Sequence, residues 1–385
     1  MVNNAGPAFR LSTIGTAPGD AAIMKRLVIV GGGYAGFALA RSLDAVADVV
    51  LVEPRDHFVH NVAAMRALVQ PELIGRIVIP YDRLLTRGQV VQARAVDLQD
   101  RLVRLSDGRS FEGDAIVVAT GSSYASPFKP MGDDVAGMLA ASKAAHEQLR
   151  SARSVAIVGA GAVGTELAGE IAAAMPGKAV TLVSTASTLF PGYSPRLGRS
   201  IEAQLTRMGV SLRLGAHAHE LQRSDAPFTG RVEMREGAPI EADLVFPAVG
   251  ARPVTNLLQA LDGARLDAIG RVEVDGWLRP SSNPRLFALG DAIATGDGMT
   301  IVSIMRQQPW LTRTLEAVLA GAAVESLPHY APWPQPPILI PLGATKGASV
   351  LPLTRRGIVI GPFLTAAIKG RGLFIPRYQK EFGRT

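Results

Sequence analysis

The same glycine fingerprint occurs twice in this chain. Gly31-Gly32-Gly33-Tyr34-Ala35-Gly36 follows the apolar residues 27–30, and Gly159-Ala160-Gly161-Ala162-Val163-Gly164 follows the apolar residues 155–158. Each fingerprint opens a stretch with helical periodicity. Strand, G-x-G-x-x-G and helix together make a pyrophosphate cradle. The first glycine allows the turn, the second admits the phosphates, and the third lets helix and strand pack closely. The phosphates then meet the free N–H groups at a helix N-terminus. One such stretch is weak evidence. Two in one chain point to two bound dinucleotides that exchange electrons, most simply a flavin and a nicotinamide.

Cysteine usage narrows the chemistry further. The 385 residues include none. Structural disulfides, thiolate metal sites and catalytic thiols are therefore excluded. Any mechanism that passes electrons through a protein disulfide is excluded with them. Hydrophobic content of 48% and charged content of 19% describe a globular chain rather than a disordered one. No apolar run reaches the roughly 18–20 residues of a membrane helix. No basic-then-apolar leader marks a secretory signal. Residues 1–23 read as a disordered lead, and Met24 is a candidate start. The net charge of +7 is compatible with phosphorylated cofactors or anionic lipid. No zinc finger, RNA-binding signature or long basic run supports nucleic acid.

Along the chain, residues 27–30 and 49–52 read as strands flanking a helix over 34–45. The second strand ends at Glu53, 17 residues after Gly36. That spacing suits a carboxylate accepting hydrogen bonds from ribose hydroxyls. Residues 57–70 read as a loop entering a short helix. Residues 89–96 and 101–105 read as strands, and 115–118 as a buried strand running into Ala119-Thr120-Gly121. The second unit repeats the plan: strand 155–158, helix 162–174, a break at Pro176-Gly177 and strand 179–183. Residues 244–250 resemble 116–121 and would cross back to the first unit. Residues 284–291 deliver Gly290-Asp291 at the carboxyl end of a strand, where ligands of open α/β sheets bind. After a Pro-rich stretch at 328–337, residues 338–342, 349–353 and 357–361 read as a small antiparallel meander. The fold class is thus α/β: two Rossmann-like dinucleotide-binding domains and a small C-terminal β-rich domain. The expected boundaries are 24–128 with 252–324, then 129–251, then 325–385.

The order of these fingerprints, with Ala248-Val249-Gly250-Ala251-Arg252-Pro253 and Leu289-Gly290-Asp291, resembles the FAD-dependent pyridine nucleotide oxidoreductases over residues 24–320. Within it, His57-Phe58-Val59-His60-Asn61-Val62-Ala63-Ala64-Met65-Arg66-Ala67 is similar to the ferroptosis suppressor branch, which is related to type II NADH dehydrogenases. Met1-Val2 lacks the myristoylation signal found in that branch. The resemblance implies FAD as cofactor and NADH or NADPH as co-substrate. Gly31, Gly33, Gly36, Glu53, Thr120, Gly121, Gly290 and Asp291 would hold FAD. Gly159, Gly161, Gly164, Ser184 and Gly250 would hold the nicotinamide dinucleotide. Asn61 and Val62 stand where disulfide reductases carry their cysteines, which suggests a flavin contact. Glu166 would approach the nicotinamide carboxamide; the plainer reading is a helix-start Glu favoured by the dipole. Gln307 and Gln308 fall on a Gln-rich helix that type II dehydrogenases keep near flavin and quinone.

Two departures stand out. Ser184 occupies the place of the acidic residue expected for strict NADH use, so a 2′-phosphate is tolerated, with Arg196 or Arg199 nearby in sequence. Pro309 should kink the Gln-rich helix or begin a new one. His57 with His60, and His217 with His219, imitate metal pairs but lack further ligands, so no metal is expected. The basic-aromatic stretch 369–382 could dock on an anionic membrane or instead pack on the protein or a dimer partner. The implied activity is hydride transfer from NAD(P)H to FAD and then electron transfer to a quinone. The start of a helix after Asp291 would stabilise the reduced flavin. A ferredoxin-like acceptor, or a redox-sensing interaction protein, remains open. The expected setting is cytoplasmic, with peripheral contact to a membrane's inner face or a homodimer as open alternatives.

Overall fold

The computed structural model describes residues 24–384, so the expected lead at 1–23 and the status of Met24 as a start lie outside it. The first unit is a parallel five-stranded sheet. Its spatial order is Leu286–Ala288, Ala115–Val118, Arg26–Val30, Asp48–Val52 and Gln89–Val91. These strands are apolar on both sides because helices and a β-hairpin layer cover them. Leu27, Val28, Ile29, Val49, Val50 and Leu51 have no exposed surface. The second unit repeats the plan with Val210–Arg213, Ala179–Val183, Ser154–Val158 and Ile240–Pro247 in parallel, and Phe228–Val232 added antiparallel. Two short strands, Ser122–Ser123 and Arg252–Pro253, pair antiparallel where the chain leaves and re-enters the first unit.

The stretch expected as one strand at 89–96 divides in two. Gln89–Val91 completes the main sheet, and Ala95–Gln99 turns away into an antiparallel hairpin with Leu102–Leu105. Two of the longer helices escaped the sequence reading. Val135–Ser151 begins at Asp134, whose carboxylate accepts from the Gly137 N–H at 2.6 Å. Pro195–Arg207 begins with proline in its first turn and Ser194 as cap. Both carry the usual start signals. The apolar face of Val135–Ser151 is diluted by Ala, Gly and charged residues, so its periodicity is faint, whereas Pro195–Arg207 carries a clear buried stripe at Leu197, Ile201 and Leu205.

The C-terminal part links the two units. A meander of Ile338–Leu342, Lys346–Leu351 and Ile358–Ile360 packs on the second unit. Its middle strand starts earlier than the expected 349–353. Gly169 brings the helix Ala162–Ala174 against this meander so closely that a Cβ there would stand 2.7 Å from the Leu342 Cα. The chain then crosses to the first unit. Helix Ile375–Glu381 and Phe382 close an aromatic cluster with Tyr34, Phe37, Phe58 and His60. The 369–382 stretch is therefore packed on the protein along one side, with Lys369, Leu373, Ile375, Tyr378 and Phe382 buried and Arg371, Arg377 and Lys380 exposed. It is not a free tail.

Phe382 has no exposed surface. Phe382→Ala should destabilise the protein by about 3–5 kcal/mol, the usual cost of emptying a buried aromatic site. Urea unfolding of the wild type and variant will measure it. A loss below about 1 kcal/mol would show that the C-terminal helix is not part of the cooperative core.

Candidate active site

The two glycine turns are built alike. The Gly31 N–H donates to the Val52 carbonyl at 2.8 Å, and the Gly159 N–H to the Val183 carbonyl at 2.9 Å. Gly31 (φ +104°) and Gly159 (φ +113°) have left-handed backbone. A Cβ would lie 2.5 Å from the Ala119 carbonyl oxygen at Gly31 and 2.2 Å from that of Ala248 at Gly159. At Gly36 and Gly164 a Cβ would strike the carbonyl oxygens of Gly31 and Gly159 at 1.7 and 1.9 Å. At Gly33 and Gly161 it would meet nothing within 4 Å. The first and third glycines thus answer to the protein's own packing. The second leaves open space at the helix N-terminus, which is the space a pyrophosphate fills.

A cavity of about 510 Å³ opens over the first turn. Gly31, Gly33, Glu53, Asn61, Thr120, Gly121, Gly290 and Asp291 all line it, so most of the FAD-side residues expected from sequence converge there. Gly36 packs behind it. Val62 is not in the lining and supplies only a backbone N–H, 3.2 Å from the Tyr34 hydroxyl.

At one end, Glu53 is buried and accepts from the Gly32 N–H (2.6 Å) and from the Arg55 guanidinium (2.6 and 3.0 Å). Arg55 was absent from the sequence reading. Burial works against its charge, but Glu53 more than compensates and holds its pKa above the ordinary value. At the other end, the Ser122 hydroxyl donates to Asp291 at 2.6 Å. Lys129 donates to the Ser122 carbonyl and hydroxyl at 2.9 and 2.8 Å. Burial draws the Lys129 pKa down while Asp291 opposes the shift. No helix begins directly after Asp291. That residue sits in the short turn Gly290–Ala292, and the next helix starts at Ile301. At the Asp291 end of the cleft the positive charge comes from Lys129 instead. Asn61 is well suited to a flavin ring, because its carbonyl oxygen is buried at the cavity wall with no partner. The glycine cradle, the buried ribose-side carboxylate and this orphaned acceptor together fit FAD.

Gln307 departs from expectation. The buried Gln307 accepts from the Gly290 N–H at 2.9 Å and donates toward Asp297 and Thr295. It braces the turn that presents Asp291 and does not enter the cavity. Gln308 donates to Ser42 and Thr312. It lines a second cavity of about 340 Å³ with Tyr34, Phe37, Ile304, Met305 and Tyr378. The helix runs unbroken from Ile301 to Leu319, so Pro309 does not start a new one. Tyr34 and Ile304 border both cavities.

In the second unit Glu166 is buried and does not face open solvent. It pairs with Lys369, whose ammonium lies 2.8 and 3.0 Å from the carboxylate oxygens and 3.1 Å from the Leu339 carbonyl. One turn on, Glu170 accepts a bidentate pair from Arg66, which also donates to the Gly370 carbonyl. Burial raises the Glu166 pKa to about 7, against the pull of Lys369. Neither Lys369 nor Arg66 was legible as a partner, because they lie 203 and 104 residues from their carboxylates. Ser184 caps the next turn, accepting from the Ala186 N–H at 3.2 Å. No carboxylate replaces it. Gly250 (φ +111°) closes the far side with open space around it.

His60 is buried between the Tyr34 hydroxyl (2.7 Å) and the Leu373 carbonyl (2.6 Å). The carbonyl can only accept, so Nε2 carries the proton and Nδ1 accepts from Tyr34. Burial lowers its pKa to about 4, which keeps it neutral. His57 pairs with Asp56. Among the described residues, no group of three or more His, Cys, Asp or Glu side chains gathers at a metal-binding distance.

Comparison with known proteins agrees with this geometry. A family model described as pyridine nucleotide-disulphide oxidoreductase matches residues 25–318. Apoptosis-inducing factor homolog B of Dictyostelium discoideum is 28% identical, covering 92% of this chain and 96% of its own length. Mouse ferroptosis suppressor protein 1 is 27% identical, covering 91% and 93%. In fold, the chain is similar to a ferredoxin reductase from Rhodopseudomonas palustris, with TM-score 0.61, 22% identity and 80% and 78% coverage. It is also similar to putidaredoxin reductase in its covalent complex with putidaredoxin, with TM-score 0.61, 21% identity and 80% and 77% coverage. The chain, an FAD- and NAD(P)H-binding oxidoreductase without a single cysteine, belongs to the pyridine nucleotide-disulphide oxidoreductase family.

Proposed function

We propose that this protein oxidises NADH or NADPH and delivers the electrons to a quinone. The observation that supports this most is the second cavity, where Phe37, Ala38, Ile301, Met305 and Pro309 form an apolar side alongside the polar and charged Ser42, Gln308, Arg41, Arg377 and Glu381, and which shares the walls Tyr34 and Ile304 with the cofactor cleft in a chain that has no thiol to carry electrons. A flat apolar acceptor suits such a space. The resemblance of residues 57–67 to the ferroptosis suppressor branch supports the same acceptor.

Bound FAD supplies the two-electron chemistry. The chain's residues bind and orient. Glu53 would accept from the ribose hydroxyls, Gly33 and Gly161 would make room for the two pyrophosphates, and the Asn61 carboxamide would face the flavin ring. Lys129 would bring a positive charge to the same cleft. Glu166 receives the nicotinamide carboxamide, and Lys369 holds its carboxylate in place. The division into an FAD unit (24–128 and 252–324), a nicotinamide unit (129–251) and a C-terminal unit (325–385) is part of the same proposal.

The direct test mixes purified protein anaerobically with NADH or NADPH, then with a short-chain quinone. Flavin absorbance should bleach and then return on quinone addition. Bleaching without reoxidation by quinone would transfer the acceptor role to a protein such as a ferredoxin. No bleaching with either nicotinamide would overturn the proposal.

The Glu166 pKa near 7 generates a second expectation. Below that value the group is a neutral acid, and above it a carboxylate that accepts more strongly from a carboxamide N–H. Affinity for NAD(P)H should therefore rise from about pH 6 to about pH 8, and Glu166→Gln should flatten the profile. An unchanged profile in the variant would assign the titration elsewhere.

Ser184 generates a third. Ser184→Asp should lower kcat/KM for NADPH by about tenfold or more relative to NADH, through repulsion of the 2′-phosphate. Equal effects on both nicotinamides would remove Ser184 from the ribose site.

A further inference from the structure

The helical segment Pro362–Thr365 continuing into Ala366–Gly370 is inside out. Its inward side carries the polar groups: Thr365, bonded to Ser349 at 2.8 Å, and Lys369, paired with Glu166. Its outward side presents Phe363 (72% exposed), Leu364 (49%) and Ile368 (39%), with Pro362 and Ala367 beside them. On the adjoining hairpin Leu353 (69%) and Ile358 (42%) are exposed as well. A helix facing water normally shows the reverse arrangement. These five side chains account for nearly half of the strongly exposed large apolar residues, and all fall within 353–368. Single exposed apolar residues need no explanation, but a cluster in one short segment does.

The charge of the sequence segment that carries this face is equally uneven. Residues 326–380 hold seven of the forty Lys and Arg and none of the thirty-three Asp and Glu. The rest of the chain therefore carries thirty-three of each sign, and the whole net charge of +7 resides in this stretch. Lys369 is buried in its ion pair. The other six, Lys346, Arg355, Arg356, Arg371, Arg377 and Lys380, are exposed. Arg355 and Arg356 form the hairpin turn between Leu353 and Ile358. Arg371 lies over the Phe363 ring, 6.0 Å from its centroid.

We propose that this outward face, Phe363, Leu364 and Ile368 together with Leu353 and Ile358, seats in an anionic lipid surface, with the surrounding arginines on the headgroups. Apolar side chains on one face, ringed by cations, are the physical requirements for an interfacial contact. An acidic protein surface would answer the charge but not five exposed apolar side chains within sixteen residues. The apolar contact differs from the 369–382 stretch that the sequence suggested, since the apolar residues Leu373, Ile375, Tyr378 and Phe382 of that stretch are buried. The contact is independent of which acceptor receives the electrons.

The missing cysteines make the test clean. Phe363→Cys in the full-length flavoprotein gives a single attachment point for an environment-sensitive dye, and Arg196→Cys on the exposed start of the helix Pro195–Arg207 gives a control. Vesicles of pure phosphatidylcholine and of phosphatidylcholine with phosphatidylglycerol are added to each. The label at 363 should shift to the blue and brighten only with the anionic vesicles, and the label at 196 should not respond. In vesicle flotation, the unlabelled Phe363→Ser/Leu364→Ser variant should bind at least about tenfold more weakly than the wild type while keeping its flavin spectrum and melting temperature. Arg355→Gln/Arg356→Gln should bind more weakly and lose much of the salt dependence. The proposal is overturned if the wild type does not float, if the serine variant floats as well as the wild type, or if both labels respond alike. It is also overturned if the wild type is a dimer that ignores vesicles and the serine variant is a monomer, since a second copy of the chain would then cover this face.

Discussion

Four buried charges hold the architecture together. Glu166 and Glu170 lie one turn apart on the helix that opens the second unit, and each meets a cation from another part of the chain. Arg66 comes from the helix Ala64–Val69 beside the first cavity, and Lys369 from the C-terminal segment. Arg66 also reaches the Gly370 carbonyl, so three segments meet at one point. Such pairs contribute less to net stability than their distances suggest, because each ion has left water. Removing one partner is costly, because it strands the other charge in the interior. The network therefore specifies how the units fit together more than how tightly.

The same geometry explains why the C-terminal segment takes the shape it does. To bring Lys369 to Glu166, the backbone follows a wide-turned helical path at Ala366–Gly370 and then a left-handed pair at Leu373 and Phe374. The Leu373 carbonyl is held by neutral His60, and His60 in turn holds the Tyr34 hydroxyl. A chain of hydrogen bonds thus runs from the C-terminal turn to the wall of the cofactor cleft. Gln307 plays the corresponding part on the other side, fixing Gly290 and so the position of Asp291.

The cradles were legible from sequence because their demands are local. Gly31, Gly33 and Gly36 act on backbone within a few residues of themselves, and the repeat at 159–164 follows the same rule. Glu53 was legible for a related reason: strand length and helix length set its distance from the turn. Arg55, Lys129, Arg66 and Lys369 were not legible. A lysine in a basic-aromatic stretch looks the same whether it faces water or pairs with a carboxylate 203 positions earlier. Gln307 was found as a residue of interest, but its role was misplaced. Sequence indicates which helix carries a side chain and not whether that side chain faces the ligand or the turn behind it. The Val135–Ser151 helix was missed because its apolar face is interrupted by small and polar residues, although Asp134 caps it well.

The path of the chain has a temporal consequence. The aromatic cluster beside the first glycine turn contains Phe37 and Phe58 from near the beginning and Tyr378 and Phe382 from the very end. Arg41 and Glu381 form an ion pair across 340 positions. A ribosome releases the N-terminal residues long before the C-terminal ones exist. The aromatic cluster beside the first glycine turn therefore stays uncovered until residues 375–382 have been made.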